Sequence, residues 1–189
     1  QKRFLKNTDR SNSLWMTPIE GSKALFVTED PLDAIAHSQL FPGARYAYLC
    51  TGGTSTKAQR EMIHSFSQKF KLPIILGNDN DLAGQLENFK LAYHTANIEY
   101  AINSKTQRVL LTVNGAEREW GKDEIVAALQ AVMKQRPNMI LSIPWAKDWN
   151  DDLRSSKKSI SLRIAENMAR VQIETTKSEQ RGMIAGKLP

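Results

Sequence analysis

The chain has 189 residues, 41% of them apolar and 24% charged, with a formal net charge of +6. That balance excludes an intrinsically disordered chain, and the length suits one folded domain with extensions. No apolar run approaches the roughly 20 residues of a membrane-spanning helix, and the lone cysteine, Cys50, excludes an intrachain disulfide or a cysteine-based zinc site. Cys50 is expected in the core, and a reducing cytoplasm is the expected location. No signal peptide is visible, and Gln1 suggests a trimmed chain.

Residues 1–23 carry five basic and two acidic side chains, a balance of +3, and read as a basic lead-in. From residue 24 strands and helices alternate. Residues 24–28 are a short apolar run, hence a buried strand. Asp30 then suits a helix N-cap, with Pro31 at the first helical position and Asp33 in the first turn. Residues 46–50 make a second strand closed by Gly52-Gly53. Thr54 or Ser55 then caps a helix whose Ala58, Met62, Phe66 and Phe70 recur every four residues and mark its buried face. Residues 74–76 are a third strand, and Asp81 caps a helix running towards Ile102. Such alternation implies a parallel sheet with right-handed crossovers. The rhythm breaks at residues 108–120, which read as a hairpin about Asn114-Gly115. A helix over 124–135 follows, with Ile125, Leu129, Val132 and Met133 on one face. Residues 106–136 therefore read as an insertion ahead of a fourth strand at 139–143. Beyond it, Ile160, Ile164, Met168 and Val171 keep helical spacing. Residues 154–189, with eight basic and three acidic side chains (+5), are expected to hold a basic amphipathic helix and a tail that frays from Gln180.

The middle of the chain, 24–153, has 13 basic and 15 acidic side chains, a balance of −2. An acidic middle between basic arms suits a site where cations offset carboxylates and the arms meet a polyanion; the plainer reading is that the arms are only solvated. Three acidic motifs each follow an apolar run: Glu29-Asp30-Pro31-Leu32-Asp33, Asp79-Asn80-Asp81, and Lys147-Asp148-Trp149-Asn150-Asp151. In a parallel sheet the strand carboxyl ends gather along one edge, where ligands bind. The motifs would meet there as a cluster of oxygens suited to a hard divalent cation such as magnesium. Each motif also has a structural reading, as a cap, a first-turn charge or a turn. Glu29 is the residue no cap signal requires. Asp79 and Asp81, two residues apart, repel each other unless a cation intervenes. Asp33 is as readily a first-turn charge as a site residue.

Other motifs carry less. A calcium loop starting at Asp79 fails because Ala83 and Lys90 stand where ligands belong. A haloacid-dehalogenase-like phosphatase would place its Asp-x-Asp pair after the first strand, whereas here it follows the third. Gly52-Gly53-Thr54-Ser55-Thr56-Lys57 resembles a phosphate loop without its spacing. It reads first as a tight turn, with phosphate held by amides at a helix N-terminus as the other reading. His37, His64 and His94 share no ligand spacing. Of the four tryptophans, Trp149 is the one flanked by charged motif residues, so contact with a base competes there with core packing.

In order, these pieces resemble the Toprim domain of bacterial primases, topoisomerases and related nucleases, above all the primase-like members in plasmid and mobile-element proteins. The matching residues are Glu29, Asp33-Ala34, Gly52-Gly53, Asp79-x-Asp81 with Ala83-Gly84, and Lys147-Asp148. Asp30, Gln85 and the long insertion depart from the pattern. The resemblance implies an α/β fold over 24–153: a compact, Rossmann-like parallel sheet of about four strands, flanked by helices, with a hairpin-helix insertion. It implies magnesium or manganese held by Glu29, Asp79, Asp81 and Asp148, with Asp33 and Asp151 as further candidates and Glu29 also as catalytic acid-base. Lys147, Gly52, Gly53 and Lys57 would contact phosphate or nucleic acid. The implied partners are single-stranded DNA, nucleoside triphosphates for a primase, and fused or associated replication or mobilisation domains, with no membrane. The implied reaction is nucleotidyl transfer of the primase type. The alternatives are cleavage of the nuclease or topoisomerase kind, or a non-catalytic DNA-binding module of a conjugation protein.

Overall fold

The main sheet is built from short apolar runs bounded by turn residues, long enough to cross a core once and then reverse. A computed structural model of the chain describes residues 9–156. Its parallel strands are β2 (Ala24–Thr28), β3 (Tyr46–Cys50), β4 (Ile74–Leu76) and β8 (Met139–Leu141). A two-residue strand, β1 (Trp15–Met16), runs antiparallel along β3, giving the order β1-β3-β2-β4-β8. The sheet is therefore mixed and five-stranded, not a parallel sheet of four. Two residues cannot show a period, and β1 lies in what reads as a basic lead-in. β2 is buried along its whole length, as expected of a central strand covered on both faces. Its register sets Val27 beside Leu49 and Leu76.

Alternation sends the side chains into two cores. Leu25, Val27, Leu49 and Leu76 pack with Ile63, Leu86 and Leu129 from helices α2 (Lys57–Phe70), α3 (Leu82–Ala92) and α4 (Lys122–Gln135). Phe26, Tyr48 and Ile75 face α1 (Pro31–Leu40) and Trp149, the first residue of α5 (Trp149–Ser156). Helix α2 starts one or two residues later than its sequence suggests. Thr56, not Thr54 or Ser55, is the N-cap, closed reciprocally with Gln59 at 3.1 and 2.9 Å. Its buried residues are Gln59, Arg60 and Ile63, while Phe70 is exposed. A strict four-residue repeat drifts around a helix of 3.6 residues per turn, so the row from Ala58 to Phe70 winds out of the core.

The insertion is larger than a hairpin. Helix α3 ends at Ala92, and Ile98–Asn103 forms strand β5 instead of continuing the helix. β5 pairs with β6 (Arg108–Val113), which pairs with β7 (Ala116–Gly121), all antiparallel. Ile98, Tyr100 and Ile102 alternate, and their cross-strand partners are Val113, Leu111 and Val109. That period-two match, available only once β6 is in place, outweighs local helix preference. Asn114 and Gly115 turn the hairpin with φ of 50° and 85°, the paired positive angles that Asn-Gly supplies.

The fold divides into units Gln1–Leu153 and Arg154–Pro189. Of the second, Arg154–Ser156 is described, as the end of α5. The helix expected through Ile160, Ile164, Met168 and Val171, and the tail after it, lie outside the described residues.

Candidate functional site

Each acidic motif stands where a parallel strand hands over to a helix. After β2, Gly52 donates its amide to the Glu29 carbonyl at 2.8 Å, tying the β3 turn to Glu29. Asp30 caps α1, its Oδ1 accepting the Leu32 amide at 2.8 Å. Asp33, one turn on, is only 6% exposed. The Asn150 amide donates to its Oδ1 at 3.1 Å.

After β4, the Asn78 amide donates to Asn88 at 2.9 Å, and Gln85 Nε2 donates to the Asp79 carbonyl at 2.8 Å. Asp81 caps α3 by accepting the Gly84 amide at 2.9 Å. Gly84 has to be glycine, because a Cβ there would collide with the Asp79 carbonyl and amide. After β8, Asp148 Oδ1 accepts the Asp151 amide at 2.8 Å where α5 begins. Each motif thus commits one carboxylate to a helix start (Asp30, Asp81 or Asp148) and leaves Glu29, Asp33 and Asp79 outside that duty.

Glu29, Asp30, Asp33, Asp79, Asp81 and Asp148 bound one cleft of about 330 Å³, and among the described residues Lys147 is the one cation that lines it. Lys147 Nζ lies 3.8 Å from Asp81 Oδ2, and both are largely solvated, so this ion pair is weak. The repulsion is legible in the acidities. Burial, then the charges of Asp33, Glu29, Asp81 and Asp148, push the Asp79 carboxyl up to about 7. Burial, then Asp148 and Asp30, push Asp33 up to about 6 against the Asn150 hydrogen bonds. Among the described residues no three His, Cys, Asp or Glu side chains converge as a ready-made metal cage. An all-oxygen cleft of this kind fits a hard cation that keeps part of its water shell and takes one or two carboxylates directly, as magnesium does.

Not every expected residue joins the cleft. Asp151 contributes its amide to Asp148, and Gly52, Gly53 and Lys57 are not among the lining residues. The amides of Gly52, Ser55 and Thr56 are donated to Glu29, Glu87 and Gln59. Lys57 pairs loosely with Glu61 at 3.9 Å. Trp149 is 3% exposed and donates its indole N–H to the Gly77 carbonyl at 2.7 Å, so it packs in the core and is closed to a base. His37 sits among Phe26, Phe41 and Trp149, hydrogen-bonded to Tyr48, and burial pushes it down to about 3. His64 donates its Nε2–H to the Leu91 carbonyl at 2.8 Å.

Four participants had no clear sequence signal. Asp30 reads as a cap and yet lines the cleft, and Asn150, to which the sequence assigned no role, holds Asp33. Asp152 is 4% exposed and accepts the amides of Trp145 and Ala146 at 2.8 and 2.7 Å. Lys122, the first residue of α4, reaches Asn80 Oδ1 at 3.3 Å and so links the insertion to the Asp79–Asp81 turn.

Among the described residues no helix is long and apolar enough to cross a membrane. No curated protein and no solved structure matches the chain. Residues 26–108, which hold Glu29, Asp33, Asp79 and Asp81 but stop short of Lys147 and Asp148, are matched by the family model described as Toprim-like, and over that stretch the chain is similar to domains of DNA metabolism of the primase, topoisomerase and nuclease type.

Proposed function

We propose that the cleft carries out cation-assisted phosphoryl transfer on DNA, with primase-type nucleotidyl transfer as the leading reaction. The observation that carries this reading is the meeting of Asp33, Asp79 and Asp148, from three separate strand-to-helix turns, in one cleft where burial and neighbouring carboxylates hold the Asp33 and Asp79 carboxyls above the usual carboxylate range. Glu29, Asp79, Asp81 and Asp148 would hold magnesium or manganese, with Asp33 in support. When bound there, such a cation would supply positive charge to the phosphate oxygens of an in-line displacement. Glu29 accepts the proton of the attacking 3′ hydroxyl as its oxygen bonds to the α-phosphorus of the nucleoside triphosphate and pyrophosphate leaves. Lys147 meets a phosphate of the template or of the incoming nucleoside triphosphate. Asn150 keeps Asp33 oriented. Gly52, Gly53, Lys57 and Asp151 have no part in this reading. Single-stranded DNA is the template, and replication or mobilisation of DNA, with fused or associated domains, is the setting.

The same carboxylates serve a hydrolytic nuclease, the second reading. Covalent cleavage of the topoisomerase kind has less support. Tyr46, Tyr48, Tyr93 and Tyr100 all lie away from the cleft lining, and burial pushes Tyr48 up to about 12. A binding module without turnover is the third reading. Incubation with single-stranded DNA, ribonucleotides and magnesium or manganese separates them by primer synthesis, by nicking, or by retention alone. Glu29→Gln and Asp79→Asn should each lower turnover by about a hundredfold or more. Turnover unchanged in both variants would sink the catalytic reading.

A further inference from the structure

The outer strands of the two sheets differ in how they guard their free edges. A free edge offers unpaired amides and carbonyls to another strand, and proteins blunt it by shortening the strand or charging it. β1 and β8, the edges of the main sheet, have two and three residues. β7, one edge of the small sheet, carries Glu117, Arg118 and Glu119 in succession. Among the described residues β5, its other edge, is the one that has neither protection. It runs for six residues, Ile98–Asn103, without proline or bulge, and Glu99 is its only charge. Tyr100 and Ile102 on it are 39% and 44% exposed.

The ladder fixes which backbone groups point outwards. The Asn114 amide donates to the Asn97 carbonyl at 2.9 Å, so Asn97 and every second residue after it face β6. Ile98, Tyr100 and Ile102 therefore direct their amides and carbonyls away from the sheet. All three are apolar, and they are symmetric about Tyr100, so the edge is its own complement under a two-fold axis there. Ile98 would meet the partner's Ile102, and Tyr100 the partner's Tyr100. Glu99 would face the partner's Ala101, so no like charges oppose each other. The Tyr100 ring is already held in place, with Lys90 Nζ 5.0 Å from its centroid and neutralised by Glu87 at 2.6 Å.

We infer that β5 pairs antiparallel with β5 of a second copy of this chain, joining the two small sheets into one. The outward residues of the two copies exchange about six backbone hydrogen bonds in this register. The contact is smaller than the roughly 20–30 residues a side of a standard interface, so the dimer is weak and concentration-dependent. It takes nothing from the acidic cleft and stands apart from the reading of that site.

The test is sedimentation of the full chain between about 1 μM and 1 mM, the span of weak association. Wild-type protein should pass from monomer to dimer, and exchange at the Ile98, Tyr100 and Ile102 amides should slow as it does. Ile102→Pro removes an outward amide and spares the β6 ladder, and Ile102→Lys charges the edge. Each should raise the dissociation constant by about tenfold or more while melting with the wild type at low concentration. Leu110→Lys, at a comparably exposed apolar residue of β6, should leave the dimer unchanged. A wild-type chain that stays monomeric throughout overturns the inference, and slow exchange at the three amides in that monomer would assign the edge to another segment of the chain. A dimer that neither Ile102 variant weakens also overturns it, because association then uses another surface. Asp79→Asn should dimerise like the wild type, and loss of the dimer there would move the contact to the cleft and overturn the pairing of β5.

Discussion

Asp79 shows how a single residue is placed at the expense of stability. Its carboxyl is pushed up to about 7, and that of Asp33 to about 6, by burial and by neighbouring carboxylates. An acid with a raised folded-state pKa binds its proton more tightly in the native chain than in the unfolded one. Stability from these two groups is therefore fully present below about pH 4 and is lost as pH rises through about 7. The metal-free protein should melt at progressively lower temperature between pH 5 and pH 8. Asp79→Asn should flatten that slope and raise the melting temperature at pH 8 by roughly 2–4 °C, about 1 kcal/mol after solvent screening. A melting temperature that climbs with pH over this range would contradict the picture of an uncompensated acidic cleft. Glu29 and the Asp79–Asp81 pair are legible from sequence because each stands at the end of an apolar run. Asp33 is not: its first-turn position suits an ordinary helix charge, and its burial depends on Asn150 arriving from α5.

At the scale of elements, the strand-to-helix junctions share one device. Asp30, Asp81 and Asp148 each use a side-chain oxygen to satisfy the start of a helix, and those starts set the carboxylates around the cleft. The loop from Pro144 to Lys147 relies on Asp152 in the same way. A carboxylate can accept both amides, whereas an asparagine offers one acceptor oxygen. Asp152→Asn should therefore cost about 1–3 kcal/mol and speed hydrogen exchange at the Trp145 or Ala146 amide, with β2 and β3 unaffected. Exchange unchanged at both amides would mean that the clamp does not hold the loop. Strands β2 to β4 and the starts of α1 and α3 could be placed from sequence because apolar runs and capping residues are local, whereas the N-cap and buried face of α2 and the end of α3 could not. β5 could not, since its alternation gains meaning only beside β6.

For the molecule as a whole, an acidic cleft and basic arms make opposite demands on DNA. The 24–153 stretch is net negative while the flanks carry +3 and +5. If the arms meet the polyanion, DNA affinity should fall steeply with salt, by about 0.7 in the log–log slope for each phosphate contacted on a single strand. Fluorescence anisotropy across 50–300 mM salt checks this (the range is roughly that over which such losses become large). Magnesium should raise affinity for strands at the cleft, and a salt-independent affinity would leave the arms merely solvated. Residue type and order along the chain determined the α/β class, the three acidic motifs and their position at strand ends, because hydrophobic periodicity and capping are local. Only the tertiary structure decided which carboxylates share a cleft, that Trp149 is core while Trp145 is exposed, and that Asn80 and Asp152 clamp the loop between them. Those outcomes depend on burial and on hydrogen bonds between residues far apart in the chain, which no spacing in the sequence records.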